Sequence, residues 1–337
     1  MQDNNLIFIL GGLNANNEDR HLDKSNLKPA QILNNKQVQE ISYFSGLGVR
    51  GIASIAFYQD KGVALFPSIK QSYFDKSNTS QESMIKQVNL QTSEEKIIPI
   101  EELKDIHEIE LINDTLWIPN TGYDEAIAYD LNKEAISNRI RLKEIPSLYK
   151  TGSELGEDDK FHLNHIFEGF DGDLYCLVHH VDGKQKFYQD AELKKQGNGG
   201  VINLSKNFPV QLNLKSPHTV KKVNGNYWIF DSARFKIKIY NQNWKILDQI
   251  DTQGYGRGAA YDPYNKLFYA GISSIRKRYL KLFTKQNPNM IQVINTQDHS
   301  TVDTIELKNI EQVNHVAIVS KHLAESLNKL PKYKEKQ

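Results

Sequence analysis

Four histidines and two arginines, Arg50, His107, His162, His218, Arg257 and His315, recur along the chain at intervals of 57, 55, 56, 39 and 58 residues. Each opens a short apolar segment with strand character, so each holds the same station in a repeated unit. Imidazoles gathered at one place can ligate a divalent metal or move protons, and guanidiniums beside them can grip a carboxylate or phosphate. A second polar set ends the segment that follows: Ser68, Asn120 with Thr121, His179 with His180, Asp231 with Ser232, and Ser273 with Ser274. Nearly all of these can donate or accept a hydrogen bond.

The elements that position these residues are read most clearly in residues 216–250, SPHTVKKVNGNYWIFDSARFKIKIYNQNWKILDQI. HTVKKV turns at Asn224-Gly225 into YWIFDS, and KIKIYN and KILDQI follow around a polar turn, so four antiparallel strands lie in about forty residues, the length of one propeller blade. The same grammar returns from Arg50, Ile106, Phe161 and Arg257. The sixth unit is incomplete, because VNHVAIVS stands alone near the C-terminus. Its missing strands must come from the N-terminal LIFILGG and QEISYF, and that join would close a ring without leaving an open edge. The expected fold is therefore all-β, a six-bladed β-propeller over residues 1–320, with 321–337 a helical or frayed surface tail. The polar insertions 71–83, 151–160, 182–198 and 276–289 are expected as loops on the ring. First strands of propeller blades line the central channel, so the histidines and arginines would converge on its axis.

Composition narrows the function classes. Forty-two Lys and Arg offset forty-one Asp and Glu, a formal charge of +1, so no global field draws the chain to nucleic acid or an anionic membrane. Cys176 is the one cysteine, which leaves no disulfide within the chain. The start MQDNNLIFILGG has no basic region and only a short apolar run, so a cytoplasmic location is expected. Gly46, Gly48 and Gly51 satisfy G-x-G-x-x-G, but no amphipathic helix follows and the next strand ends in Ser68, so a dinucleotide site is not expected. The basic cluster Arg276, Lys277, Arg278, Lys281 and Lys285 reads as a solvated loop. Glu157, Asp158 and Asp159 lack the glycine frame of a calcium loop. Cys176, inside LYCLV, reads as a buried thiol.

SPHTVKKVNGNYWIFDSA, then GYGRGAAYD, then FYAGISSIR, together with His162, Leu163 and Asn164 as an H-x-N segment, resemble an uncharacterised bacterial six-bladed β-propeller family, a domain of unknown function. That family shows a PHS-type strand, a W-x-x-D-S strand, a GYTRG-type turn and a G-x-S-x-x-R strand end. The resemblance covers residues 161–319 and implies a propeller distantly related to binding and hydrolytic propellers, with no activity attached. It carries the family's recurrent residues onto His162, Asn164, His218, Asp231, Ser232, Arg257, Ser273 and Arg276. Gly256 stands in place of the turn threonine and Thr219 in place of the serine of PHS.

The leading functional expectation is an enzyme of lyase, epimerase or hydrolase type acting on a small carboxylated or phosphorylated ligand. Arg50 and Arg257 would hold the anion and Arg276 would close over it, with Asn120, Asn164, Ser232 and Ser273 as further substrate contacts. His162, His218 and Asp231 are the catalytic candidates, Asp231 orienting a histidine or acting as base. A divalent zinc, manganese, iron or nickel ion would sit on His107, His162, His218 and His315, with His179 or His180 able to replace one ligand. His165 is set aside, because simple alternation puts it on the other side of its strand. The competing class is a non-catalytic scaffold that binds a protein partner at its rim.

Overall fold

Asn113-Asp114 and Asn224-Gly225 all take positive φ, 47° and 62° in the first pair and 49° and 79° in the second. This two-residue reversal matches the right-handed twist of the strands on either side and suits Asn, Asp and Gly. It folds Glu110–Ile112 onto Thr115–Asn120 and Pro217–Val223 onto Asn226–Asp231. Each of these two hairpins is extended by two more strands in the computed structural model, which describes residues 6–12, 30–34, 37–45, 52–69, 83–148, 159–183, 197–275 and 289–332.

The strands form six four-stranded antiparallel sheets, the blades of a six-bladed β-propeller. Blade one joins Gln312–Val319 to Leu6–Gly12, Ala30–Asn34 and Gln37–Ile41, so the last strand of the chain is completed by the first ones. The N-terminal contribution is thus LIFILGG plus two strands on either side of residues 35–36, and the stretch expected as QEISYF ends its strand at Ile41 before the single turn Ser42–Ser45. Blade two is Ala56–Tyr58, Val63–Ile69, Ser83–Asn89 and Glu95–Ile98. Blade three is Glu110–Ile112, Thr115–Asn120, Glu125–Asp130 and Ala135–Arg141. Blade four is Leu163–Glu168, Leu174–Val178, Gly199–Asn203 and Phe208–Leu214. Blade five is Pro217–Val223, Asn226–Asp231, Lys236–Tyr240 and Ile246–Asp251, and blade six is Tyr255–Asp262, Leu267–Ser273, Met290–Asn295 and Thr301–Glu306.

The chain divides into two units. One is Glu102–Asp251, blades three to five. Its core includes Phe167, Tyr175, Tyr227 and Trp244, which pack blade four on blade five. The Tyr227 and Trp244 rings stack at 4.2 Å between centroids and 6° between planes. The other unit, Met1–Glu101 with Thr252–Gln337, holds blades one, two and six and a C-terminal helix, α1 (Lys321–Lys329). Ser320 caps α1 by accepting the Leu323 N–H at 3.1 Å. Leu323, Leu327 and Leu330 pack into the cluster that contains Leu6, Phe8, Tyr43 and Phe44, so the tail docks through its apolar face up to Leu330. Most of the expected insertions 71–83, 151–160, 182–198 and 276–289, and the glycines Gly46, Gly48 and Gly51, lie outside the described residues.

Candidate functional site

Blades three and five enter their first strands through the same backbone device. Asp105 and Ser216 both sit at φ 49°, and each turns its carbonyl onto the imidazole two residues ahead. The Asp105 oxygen lies 3.0 Å from His107 Nδ1 and the Ser216 oxygen 2.9 Å from His218 Nδ1. At the end of the second strand a hydroxyl adds a second acceptor, Thr121 Oγ1 at 2.9 Å from His107 and Ser232 Oγ at 3.0 Å from His218. A carbonyl only accepts, so Nδ1 carries the proton in both rings and Nε2 is the lone-pair nitrogen. Asn120 and Asp231 hold the two turns alike, accepting from Lys104 N and Lys215 N at 2.7 Å in each case.

Blade four departs from this pattern. His162 sits at φ 51°, and its Nδ1 meets the Asp159 carboxylate at 2.8 Å rather than a carbonyl. Its backbone N–H, with those of Phe161 and Lys160, donates to the carboxylate of Asp124 on the turn between the second and third strands of blade three, at 3.0, 3.2 and 2.5 Å respectively. Where the neighbours end their second strand in a hydroxyl, blade four has His179 and His180, both buried.

The rings from the three blades meet. His107 lies 4.9 Å from His162 between centroids, His162 4.5 Å from His179, and His179 5.6 Å from His218. His180 flanks His179 at 6.4 Å, and its Nε2 is buried with no hydrogen-bond partner among the described residues. Charges are unequal across this cluster. Burial works against a charged His162, but Asp159 at its ring and the more distant Asp105 and Asp124 outweigh that and raise its pKa. His179 is pushed well below the usual histidine range by burial and by the surrounding imidazoles. Burial brings His180 down to about 4. Asp124 is pushed up to about 6, again by burial, against the pull of its backbone donors. An imidazole whose pKa is raised therefore packs against one whose pKa is lowered.

The remaining sequence candidates have other partners. Asp231 gives one oxygen to Lys215 N and the other to Arg234, at 2.7 and 2.8 Å, so it braces a turn, and the groups beside His218 are Ser216 and Ser232. Asn120 bonds Lys104, Glu102 and Glu125 within its own blade. Asn164 donates to the Pro217 carbonyl at 2.8 Å, stitching blade four to blade five, and its Oδ1 is buried without a partner among the described residues. In the other unit Arg257 donates to Asn314 at 3.1 Å with Tyr255 beneath it, Ser273 accepts from Val313 N at 2.9 Å, and His315 pairs with Leu10. Gly258 is obligatory there, since a Cβ would stand 2.6 Å from His315 Cα. Arg50 and Arg276 lie outside the described residues. The residues that sequence reasoning missed are Asp105, Asp124 and Asp159. Asp159 ends the acidic run Glu157, Asp158 and Asp159, whose signal in the sequence is its charge alone.

A second polar group lies further along the same first strands. Thr219 donates to Glu108 at 2.6 Å, Lys221 lies 3.5 Å from Glu108, and His165 Nε2 meets Glu110 at 3.2 Å. Burial opposes charge on Glu110, but the His165 bond and the Lys221 charge prevail and lower its pKa. Glu108, Glu110 and His165 form the one trio of His, Cys or carboxylate side chains among the described residues whose ligating atoms all lie within 4.8 Å, and no three of the clustered histidines do so. The trio is poorly set for a metal. His165 Nδ1 accepts the Val220 N–H at 3.2 Å, so Nε2 bears the proton and is no ligand, and Lys221 already supplies the cation. His165 thus joins the carboxylates, at a register shift between Leu163 and His165 that breaks the simple alternation assumed from sequence.

Residues 102–326 match the model of one protein family. No curated protein matches the sequence. Among solved structures, a chain of the nidogen/laminin complex is similar with a TM-score of 0.57 and 12% identity, over 93% of this chain and 97% of that one. A protein of unknown function from Bacteroides caccae is similar with a TM-score of 0.57 and 12% identity, over 94% and 98%. A luciferin-regenerating enzyme is similar with a TM-score of 0.52 and 11% identity, over 80% of each chain. At these identities the likeness extends to the fold alone.

Proposed function

This chain belongs to the matching family, described as a domain of unknown function (DUF4915), and from that premise we propose that the histidine cluster of blades three to five binds a small anionic ligand and exchanges a proton with it. A chain of a nidogen/laminin complex and a luciferin-regenerating enzyme share the fold, so the fold does not choose between partner binding and catalysis, and the site must. The observation that carries the reading is the common setting of three imidazoles from three successive blades. His107, His162 and His218 each turn Nδ1 onto an acceptor, at 3.0, 2.8 and 2.9 Å, so each ring is oriented with Nε2 as its working atom. His162, backed by Asp159, is the group suited to hold a carboxylate or phosphate and to donate a proton. His179, packed against it, is suited to accept one.

Calorimetry with inorganic phosphate and with a uronate tests the reading. Native protein should bind at least one of them, and His162→Gln should weaken that affinity about tenfold or more, the scale of a charge-assisted hydrogen bond. His179→Gln should leave affinity within about threefold while stopping exchange of the proton alpha to the uronate carboxylate, followed by deuterium incorporation. Native protein that binds neither probe, or a His162→Gln variant that binds both as well as native, overturns it.

A further inference from the structure

Three residues that are not glycine hold left-handed backbone around the entry to blade four: Asp124 at φ 50°, Asp159 at 63° and His162 at 51°. Such conformations persist where the surroundings over-determine them. At residues 160–162, between and beside the last two of these, the backbone is gathered by a single carboxylate. Asp124 is 3% exposed, and three consecutive backbone N–H groups, those of Lys160, Phe161 and His162, converge on it. Successive N–H groups wrapped around an anion form a nest, and the anion in this one belongs to the neighbouring blade. The nest lies between Asp159 and His162 and so brings the Asp159 carboxylate back onto the His162 ring at 2.8 Å.

The sister turn in blade five shows what the carboxylate adds. Lys104, Asn120, Thr121 and Asp124 in blade three correspond to Lys215, Asp231, Ser232 and Phe235 in blade five, all 111 residues apart. Phe235 has the same left-handed backbone, φ 56°, and caps the same kind of single turn, but has no carboxylate to offer the next blade. The acidic side chain of Asp124 is therefore not a requirement of the turn it sits in. Its oxygens serve the strand entry of blade four.

We propose that Asp124 is the positioning residue of the site: it holds the 160–162 backbone so that His162 meets Asp159, His107 and His179 together. Its functional meaning rests on the ligand-site reading above, whereas its geometry does not. Asp124 acts through the backbone of His162, whose N–H it accepts.

The test uses full-length protein labelled with nitrogen-15 histidine, its ring resonances assigned with His107→Gln, His162→Gln and His218→Gln. Long-range proton–nitrogen spectra should show His162 of the native protein protonated at Nδ1. In Asp124→Ala that pattern should be lost from His162 and kept by His218, whose ring is held within its own blade. Asp159→Asn should alter His162 in the same selective way, as the second route to the same contact. If Asp124→Ala does not fold, Asp124→Glu, which keeps the charge but pushes the nest outward, is read by the same spectra. A folded variant in which His162 is unchanged, or in which His162 and His218 change alike, overturns the proposal. Phosphate affinity read on the same samples should fall at least tenfold in Asp124→Ala. Native protein that binds no phosphate would sink the ligand reading and leave the assignment of Asp124 to be decided by the imidazole spectra.

Discussion

His218 and His162 stand at the same station of adjacent blades and are held in opposite ways. His218 is kept in place by its own blade, through Ser216 two residues before it and Ser232 at the end of the next strand. His162 depends on Asp124 in the preceding blade for its backbone and on Asp159 for its ring. The first arrangement is local, uncharged and repeated in blade three at His107. The second is ionic and spans two blades. One histidine is thereby tuned differently from its neighbours while the repeat around it is kept, and the tuned ring lies nearer His179, 4.5 Å between centroids, than His218 does at 5.6 Å. A repeated fold can supply equivalent places, and asymmetry in what surrounds them makes one place do something the others do not.

The largest expected effect breaks the contrast at its source. Asp124→Ala leaves three N–H groups, two buried and one part-buried, without their acceptor, which should cost about 3 kcal/mol. Phe235→Ala, at the equivalent turn, removes only part-buried apolar contact and should cost about 1 kcal/mol. Urea unfolding of the two variants measures the difference, and equal costs would mean that the two turns are held alike.

The next effect concerns the histidines that replace hydroxyls in blade four. The folded-state pKa of His180 is lowered from 6.5 to about 4, so as pH falls from 6.5 the unfolded chain takes up the proton first and stability is lost. The loss from this residue should be on the order of 2–3 kcal/mol by pH 4. His180→Gln should remove that share of the acid loss in denaturant titrations between pH 7 and about 4; a variant with the same pH slope as native would show that His180 is not held neutral.

Asp159→Asn sharpens the comparison with the smallest expected effect. The pKa of His162 is raised in the fold, so its contribution is fully present below the unfolded value of 6.5 and is lost as pH rises through the folded value. Native protein should therefore exceed the variant in stability below pH 6.5, and the gap should close on the alkaline side. Asp159 is 36% exposed, so solvent screens the pair and the gap should stay under about 1 kcal/mol. A gap that widens with rising pH would reverse the assignment of charge.

Much of this was legible in the chain as written. The period of the strands and the Asn-Gly and Asn-Asp reversals specify the blades, because hairpin geometry and strand alternation are local properties, and a final strand without partners of its own points to the N-terminal strands that complete it. The recurrence of His107, His162 and His218 marked a common station for the same reason. Their partners left weaker traces. Asp231 reads as a buried acid beside a histidine, yet both of its oxygens are taken by Lys215 and Arg234. His165 reads as turned away, yet it reaches Glu110 beside a register shift that alternation cannot foresee.

What the sequence by itself determined is the architecture and the station at which histidines recur, since both follow from residues near one another along the chain. Only the tertiary structure decided which histidine differs. Asp124 works by accepting backbone N–H groups, which every residue but proline carries, so nothing in the identities of Lys160, Phe161 and His162 records the contact. The unequal charging of His162 and His179 likewise depends on burial and on carboxylates brought in from other turns, and electrostatics in a low-dielectric interior is set by distance in space rather than along the chain.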